Sequence, residues 1–322
     1  MASPRSFTND PLRPGFELSR YKIVRRLSSG GFGVVYVARR EDGKMVAIKE
    51  FLPSVIACRT PENRGRVKPK SASDARRFQD GLDAFFREAD TLAKIHDEQV
   101  IAVWDVFEAN GTAYFTMPVE KGITLQTAIR GRHLPFSDTW MRDTFVRACR
   151  GVEVLHRHSL LHLDLKPGNL WLRPDGSVVV LDLGASRWED EEGRTGQLAR
   201  TPGFAAPEQH GQVKVKDLTI RTDVYGLATT FYATLEGAPP PAAPSRARTP
   251  EDFLKARAGQ HSSRLLAIID RGMALDPAQR FASVSDLRLA LEQLPRLDER
   301  SSWPLSDGLG APARLALPLS SS

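Results

Sequence analysis

The segment His162-Leu163-Asp164-Leu165-Lys166-Pro167-Gly168-Asn169 constrains this chain more than any other, because three different polar groups share one short loop. A carboxylate, a lysine and a carboxamide stand together there, and a second carboxylate follows in Asp182-Leu183-Gly184. Taken alone, Asp182-Leu183-Gly184 is an ordinary turn, since Asp and Gly are common turn residues. Joined to Asp164, Lys166 and Asn169, it completes the set that phosphoryl transfer from ATP requires. One carboxylate orients the attacking hydroxyl, the cation neutralises the γ-phosphate, and the Asn with the other carboxylate holds Mg²⁺.

The N-terminal third reads as strand, turn, strand, turn, strand over residues 20 to 50. Val24 and Leu27 lead into Ser28-Ser29-Gly30-Gly31-Phe32-Gly33, and Val34 to Ala38 then runs apolar. The turn Glu41-Asp42-Gly43-Lys44 precedes Met45-Val46-Ala47-Ile48-Lys49. β-Branched runs separated by glycine-containing turns are hairpin signals. Glycine also lets a turn bring its amides against phosphate oxygens with no side chain in the way. Lys49 ends an apolar strand, and a lysine buried in that way needs a partner. An α/β-phosphate pair and a carboxylate supply one.

With these landmarks in this order, the chain resembles the eukaryotic-type (Hanks-type) serine/threonine protein kinases, their bacterial members above all. The resemblance runs from about Tyr21 to about Leu294. It takes in the glycine loop, the strand lysine Lys49, the catalytic loop, the metal motif at Asp182, and Ala206-Pro207-Glu208 at the end of the activation segment. Asp223-Val224-Tyr225-Gly226 resembles the start of the central helix, and Arg280 the arginine that pairs with Glu208. The resemblance implies an α+β, bilobal protein-kinase-like fold. A small β-rich N-lobe with one main helix (about 20–118) precedes a larger, mostly helical C-lobe (about 122–296). Residues 1–19 would be an extension. Residues 297–322, rich in Ser, Pro and Gly, would be a disordered tail.

The same resemblance assigns roles. Asp164, Lys166, Lys49 and Glu88 are the catalytic set, and Asn169 and Asp182 hold the metal. Apolar positions 85, 86, 89, 92 and 95 form a helical stripe with Glu88 on its edge. Asp90 competes with Glu88 as partner of Lys49. Leu27, Ser28, Gly30, Gly31, Gly33, Val35, Ala47, Lys49, Met117, Pro118, Glu120 and Trp171 would surround ATP. Met117 is the gatekeeper, the Pro118 carbonyl and Glu120 amide meet the adenine edge, and Trp171 lies beneath it. The metal is Mg²⁺, with Mn²⁺ as an alternative. Thr201 supports the catalytic loop, and Thr195 and Ser186 are the autophosphorylation candidates.

Three departures bear on mechanism. Ser28 replaces the first loop glycine, which implies a stiffer loop and weaker nucleotide binding. Leu163 replaces the arginine that usually precedes the catalytic aspartate, so a phosphorylated residue need not be the on-switch. Leu183 replaces a phenylalanine in a packing role. None of the three removes a group that touches the transferred phosphate.

Composition excludes other classes. Two cysteines give no disulfide framework or metal spacing. No run approaches the ~18 apolar residues of a membrane helix, and the start lacks a secretory signal, so the expectation is a soluble cytoplasmic protein. The net charge of +6 includes a basic segment, Arg59 to Arg77, read as a solvated loop face. It lacks the aromatic platform of a single-strand nucleic-acid binder. Gly237 to Pro250 reads as a Pro/Ala-rich loop. The partners implied are proteins bearing Ser or Thr, with a cognate protein phosphatase a family expectation. A scaffold without turnover and a small-molecule phosphotransferase are the rival readings. The intact set of Lys49, Asp164, Asn169 and Asp182 speaks against the first, and Ala206-Pro207-Glu208 against the second.

Overall fold

A computed structural model describes residues 10–31, 33–59, 65–131, 136–182, 187–188, 201–211, 215–249 and 259–296. The chain forms two compact units, Met1–Glu120 and Lys121–Ser322.

The first unit is built on an antiparallel sheet. Its strands are β1 (Glu17–Leu18), β2 (Tyr21–Ser29), β3 (Gly33–Arg40) and β4 (Met45–Phe51). A small hairpin, β5 (Ala57–Arg59) and β6 (Val67–Pro69), leads into α1 (Ala72–Lys94), and β7 (Asp105–Ala109) and β8 (Thr112–Met117) complete the unit. The sheet order is β1-β2-β3-β4-β8-β7. Lys49 lies opposite Val35 on β3 and Phe115 on β8. Gly33 is required where β3 begins, because a Cβ there would stand 2.2 Å from the Glu50 carbonyl oxygen.

Ser71 caps α1 by accepting from the Asp74 amide. The helix packs its apolar stripe on one sheet face, with the Phe85 ring 5.0 Å from that of Phe115. It begins thirteen residues before Phe85 (72 against 85), well ahead of the expected stripe. The basic segment is therefore corrected: it is a hairpin followed by helix. Arg66, Lys68, Arg76 and Arg77 are exposed, but Arg59 is buried against Glu50. Arg64 lies outside the described residues. A buried cation of this kind is stable only because its partner sits on another strand, which local charge counting does not reveal.

The second unit is mostly helical. It comprises β9 (Ile123–Thr124), α2 (Leu125–Gly131), α3 (Asp138–Arg157), β10 (Leu160–Leu161), β11 (Leu170–Leu172), β12 (Val178–Val180), β13 (Arg187–Trp188), α4 (Ile220–Glu236), α5 (Ala243–Arg248), α6 (Ser263–Gly272) and α7 (Val284–Glu292). Ser137, Thr219, Ser262 and Ser283 each cap the helix that follows. Helix α4 is buried from Thr222 to Leu235. Its buried threonines bond back to carbonyls one turn earlier, Thr230 to Gly226 at 2.7 Å and Thr234 to Thr230 at 2.8 Å. That satisfies the hydroxyls inside a dry helix.

The expected loop at 237–250 contains α5, a second correction. Pro244 sits in the first turn, where a missing N–H is harmless. Arg246 is buried and donates to the Tyr225 hydroxyl and the Met273 carbonyl. Among the described residues, no helix is long and apolar enough to cross a membrane.

Arg280 is the largest fully buried side chain among the described residues. It grips Glu208 with two nitrogens, at 2.7 and 2.9 Å, and donates to the carbonyls of Ala274, Arg221 and Leu275. Removing one member strands the other in a nearly dry site. Arg280→Met is expected to destabilise the protein by about 3–5 kcal/mol. Urea denaturation measures this, and a loss below about 1 kcal/mol would contradict it.

Candidate active site

In the first unit the glycine turn closes through a bond from the Gly30 amide to the Gly33 carbonyl at 2.9 Å. Ser28 and Ser29 still belong to the ladder, opposite Val35 and Val34, so the free turn is Gly30 to Gly33. No atom lies within 4 Å of a Cβ built on Gly30 or Gly31, so no neighbouring group crowds that side of the turn. Phe32 lies outside the described residues. Leu27 is half exposed at the end of β2, and Ala47 is buried opposite Val37 and Met117.

Lys49 donates to Glu88 Oε1 at 2.8 Å, with the side chains 16% and 4% exposed. The ammonium also stands 5.3 Å from the Phe115 ring centre. Asp90, the competitor, pairs instead with Lys94 on the exposed side of α1. Met117 ends β8, and Pro118 and Glu120 follow it half-buried.

In the second unit the loop from His162 to Asn169 brings Lys166 and Asn169 each against Asp164. Lys166 Nζ lies 2.5 Å from Asp164 Oδ2. Thr201 donates its hydroxyl to Asp164 Oδ1 at 2.7 Å and accepts from Lys166 at 3.0 Å. Asn169 donates its amide nitrogen to the Asp164 carbonyl at 2.8 Å. That commits the nitrogen and leaves the Asn169 amide oxygen as a hard donor suited to Mg²⁺. Asp182, exposed and with φ of 58°, offers a carboxylate of the same chemical kind. Leu183, Gly184, Ser186 and Thr195 lie outside the described residues.

Trp171 stands in β11, between Thr124 and Val179, and donates its indole N–H to the Lys121 carbonyl at 3.1 Å. Gly122 fits beside it at φ 132°, where a Cβ would meet the Leu172 carbonyl oxygen at 2.0 Å.

One buried carboxylate holds the loop. Asp223, at the start of α4, accepts from the backbone amides of His162 and Leu163, both at 2.8 Å, and contacts His156 Nε2 at 2.8 Å. These bonds keep Leu163 in the left-handed region at φ 63°. Gln209 donates to the Leu163 carbonyl at 2.8 Å. The Leu163 side chain is buried with Leu161, Leu218 and Ile220. The His162 ring accepts from the Asp164 amide at Nδ1 and meets the Leu181 carbonyl at Nε2, which assigns the proton to Nε2.

The loop-holding parts of Asp223, His156 and Gln209 were not visible in the sequence. Asp223 was visible only as a helix start, and Gln209 follows Ala206-Pro207-Glu208 without any signature of its own. Burial alone would raise the Asp223 carboxyl. The hydrogen bond and charge of His156, the His162 ring and the Leu163 amide outweigh it and hold the carboxyl below its usual range.

Comparison with known proteins matches residues 21–288 to the protein kinase domain family. Serine/threonine-protein kinase PknD of Chlamydia muridarum is 26% identical, over 92% of this chain and 34% of that protein. PknD of Mycobacterium tuberculosis is 27% identical, over 86% of this chain and 40% of its own length. PknF of the same species is 29% identical, over 71% and 45%. The chain thus spans between about a third and just under half of the length of these relatives. A solved chain, PpkA-294 apo form, superposes with a TM-score of 0.76 at 26% identity, covering 88% of this chain and 100% of that one.

The Asp223 network carries a pH signature. A carboxyl whose folded pKa lies below its unfolded value stabilises the fold above the unfolded value, near pH 4, and loses that contribution as pH falls through the folded one. Asp223→Asn is expected to lower stability at pH 7 by about 3 kcal/mol and to flatten the further loss below about pH 4. Urea denaturation between neutral and acid pH tests it; parallel declines in parent and variant would refute the assignment.

Proposed function

The chain belongs to the protein kinase domain family, in its bacterial Hanks-type serine/threonine branch, and we propose that it transfers the γ-phosphoryl group of ATP to Ser or Thr hydroxyls of proteins. The observation that carries this reading is the alcohol already held by Asp164 and Lys166. Thr201 presents a hydroxyl to the carboxylate at 2.7 Å and to the ammonium at 3.0 Å. The pair is therefore built to orient an aliphatic hydroxyl, which is what a Ser or Thr acceptor brings.

Each unit contributes separate groups. In the first, Lys49, kept extended by Glu88, takes the α- and β-phosphates, and the glycine turn that carries Gly30, Gly31 and Gly33 covers the phosphate chain. Leu27, Ser28, Val35, Ala47, Met117, Pro118 and Glu120 form the nucleotide-binding set of this reading. In the second, Asp164 accepts the hydrogen bond of the acceptor hydroxyl, and Lys166 neutralises charge on the moving phosphoryl group. Asn169 and Asp182 hold the divalent cation, and Trp171 completes the adenine contacts. A divalent cation held there, Mg²⁺ or Mn²⁺, would supply charge neutralisation to the phosphates.

The loop's supports are neutral where an arginine would otherwise stand. Leu163 sits in an apolar cluster and Gln209 holds its carbonyl. These features favour a loop that is ordered without phosphorylation of the activation segment. A cognate phosphatase belongs to the same reading as a partner.

Incubation with labelled Mg-ATP, followed by mapping of phosphorylated residues, tests it. Phosphate on Ser or Thr is expected, with Thr195 and Ser186 as the first sites to inspect. Asp164→Asn and Lys49→Ala are each expected to lower incorporation by about 100-fold or more while leaving the protein folded. Undiminished incorporation in either variant would overturn the assignment. Transfer to amino-sugars in place of protein would favour the small-molecule reading.

A further inference from the structure

The sheet face opposite α1 closes over a buried cluster of charge. Side chains alternate along β4, so Glu50 turns away from the face that carries Lys49. Glu50 is 0% exposed. It accepts from the Tyr36 hydroxyl at 2.7 Å, from the Tyr114 hydroxyl at 2.5 Å and from the Arg59 guanidinium. Arg59 also donates to the carbonyls of Asp10, at 2.8 Å, and Gly65, at 2.7 Å. The Tyr36 hydroxyl accepts from the Leu12 amide at 3.0 Å. Three segments distant in sequence are tied at one point: the chain before β1, the strand bearing Lys49, and the β5–β6 hairpin.

Burial and the Glu50 charge push both tyrosine hydroxyls up, so they remain donors. Burial alone would lower the Arg59 guanidinium, but Glu50 and the two tyrosines outweigh it and hold it raised.

We propose that Glu50 and Arg59 are positioning residues for phosphoryl transfer, fixing β6, and through it α1, where Glu88 reaches Lys49. The proposal rests on the kinase reading above. The hairpin passes into the helix without slack: β6 ends at Pro69, and Ser71 is already the cap of α1. Between them, the Lys70 amide donates to the Ile56 carbonyl at 2.9 Å and its ammonium to the Ser54 carbonyl at 2.6 Å.

Helix α1 then runs unbroken past Glu88. At 1.5 Å per residue Glu88 lies about 24 Å from the helix start, so a tilt of about 5° there moves it by about 2 Å. A 2.8 Å ion pair does not survive that displacement. The apolar contacts of α1 do not prevent such a tilt by themselves. Phe51 meets Phe78 and Phe85 at ring distances of 5.5 and 5.7 Å, and such burial is non-directional. A directional restraint on the start of the helix is the hairpin, which Arg59 ties to β4 and the Val67 amide ties to the Asn110 carbonyl at 2.7 Å.

The test is steady-state kinetics of the full chain with Mg-ATP and a protein acceptor, well below the melting temperature of every variant. Arg59→Met is measured in the parent and in a Glu88→Gln background. In the parent it is expected to lower kcat about tenfold or more, with KM for the acceptor within about twofold. With Glu88 already replaced, the same substitution is expected to lower kcat less than about twofold, because the contact it positions is gone. Arg59→Lys, which restores a cation opposite Glu50, is expected to recover part of the loss.

Equal losses in both backgrounds would overturn the proposal. So would an unchanged kcat with a lowered melting temperature, which leaves the cluster a brace and nothing more. If Arg59→Met does not fold, Tyr36→Phe keeps the volume and removes only the hydroxyl shared by Leu12 and Glu50. Its expected kcat loss is about threefold or more in the parent and under twofold beside Glu88→Gln, and no loss in the parent sinks the proposal. A parent that transfers no phosphate overturns the kinase reading and this proposal with it. A parent that does, alongside insensitive Arg59→Met and Tyr36→Phe variants, overturns the positioning role alone.

Discussion

Asp223 carries a charge that water does not reach, and the loop from His162 to Asn169 is arranged around the need to satisfy it. A buried carboxylate is tolerated only where donors converge on it. Here two of the donors are consecutive backbone amides, of His162 and Leu163. Consecutive amides pointing at one carboxylate demand an unusual backbone, and Leu163 accordingly adopts a positive φ. From that bend follow the direction of Asp164, its reach to Lys166 and Thr201, and the return bond of Asn169. The strain is of order 1 kcal/mol for a non-glycine residue, and the convergence of amides and His156 on a dry carboxylate offsets it.

Lys49, Asp164, Lys166 and Asn169 stand out in the sequence, because their types and order have few other uses, and the structure brings Lys49 to Glu88 and both Lys166 and Asn169 to Asp164. Lys49 at the end of an apolar strand needed a partner, and helical periodicity put Glu88 within reach of being one. The strand–turn–strand pattern over 20 to 50 is the ladder β2-β3-β4.

What stayed illegible depends on contacts between distant residues. Arg59 looks like its basic neighbours, and only Glu50, on another strand, gives it a buried partner. The value of Asp223 lies in backbone amides sixty residues away, which leave no mark on composition. Helix α5 was hidden by Pro244, read as a loop residue although the first turn of a helix accepts it.

Strand β4 also bears on how the chain finds its correct pairing. Consecutive residues, Lys49 and Glu50, carry opposite charges to opposite faces, and each meets a partner of opposite sign, Glu88 on one side and Arg59 on the other. A strand that slips by one residue turns every side chain over. In β4 such a slip would set Lys49 against Arg59 in one direction or Glu50 against Glu88 in the other, a like-charge encounter away from water either way. Apolar neighbours such as Ile48 and Ala47 would tolerate that exchange far better, since both are hydrophobic. A sheet misaligned in either direction is thus rejected electrostatically, and the strand that holds Lys49 proofreads its own register.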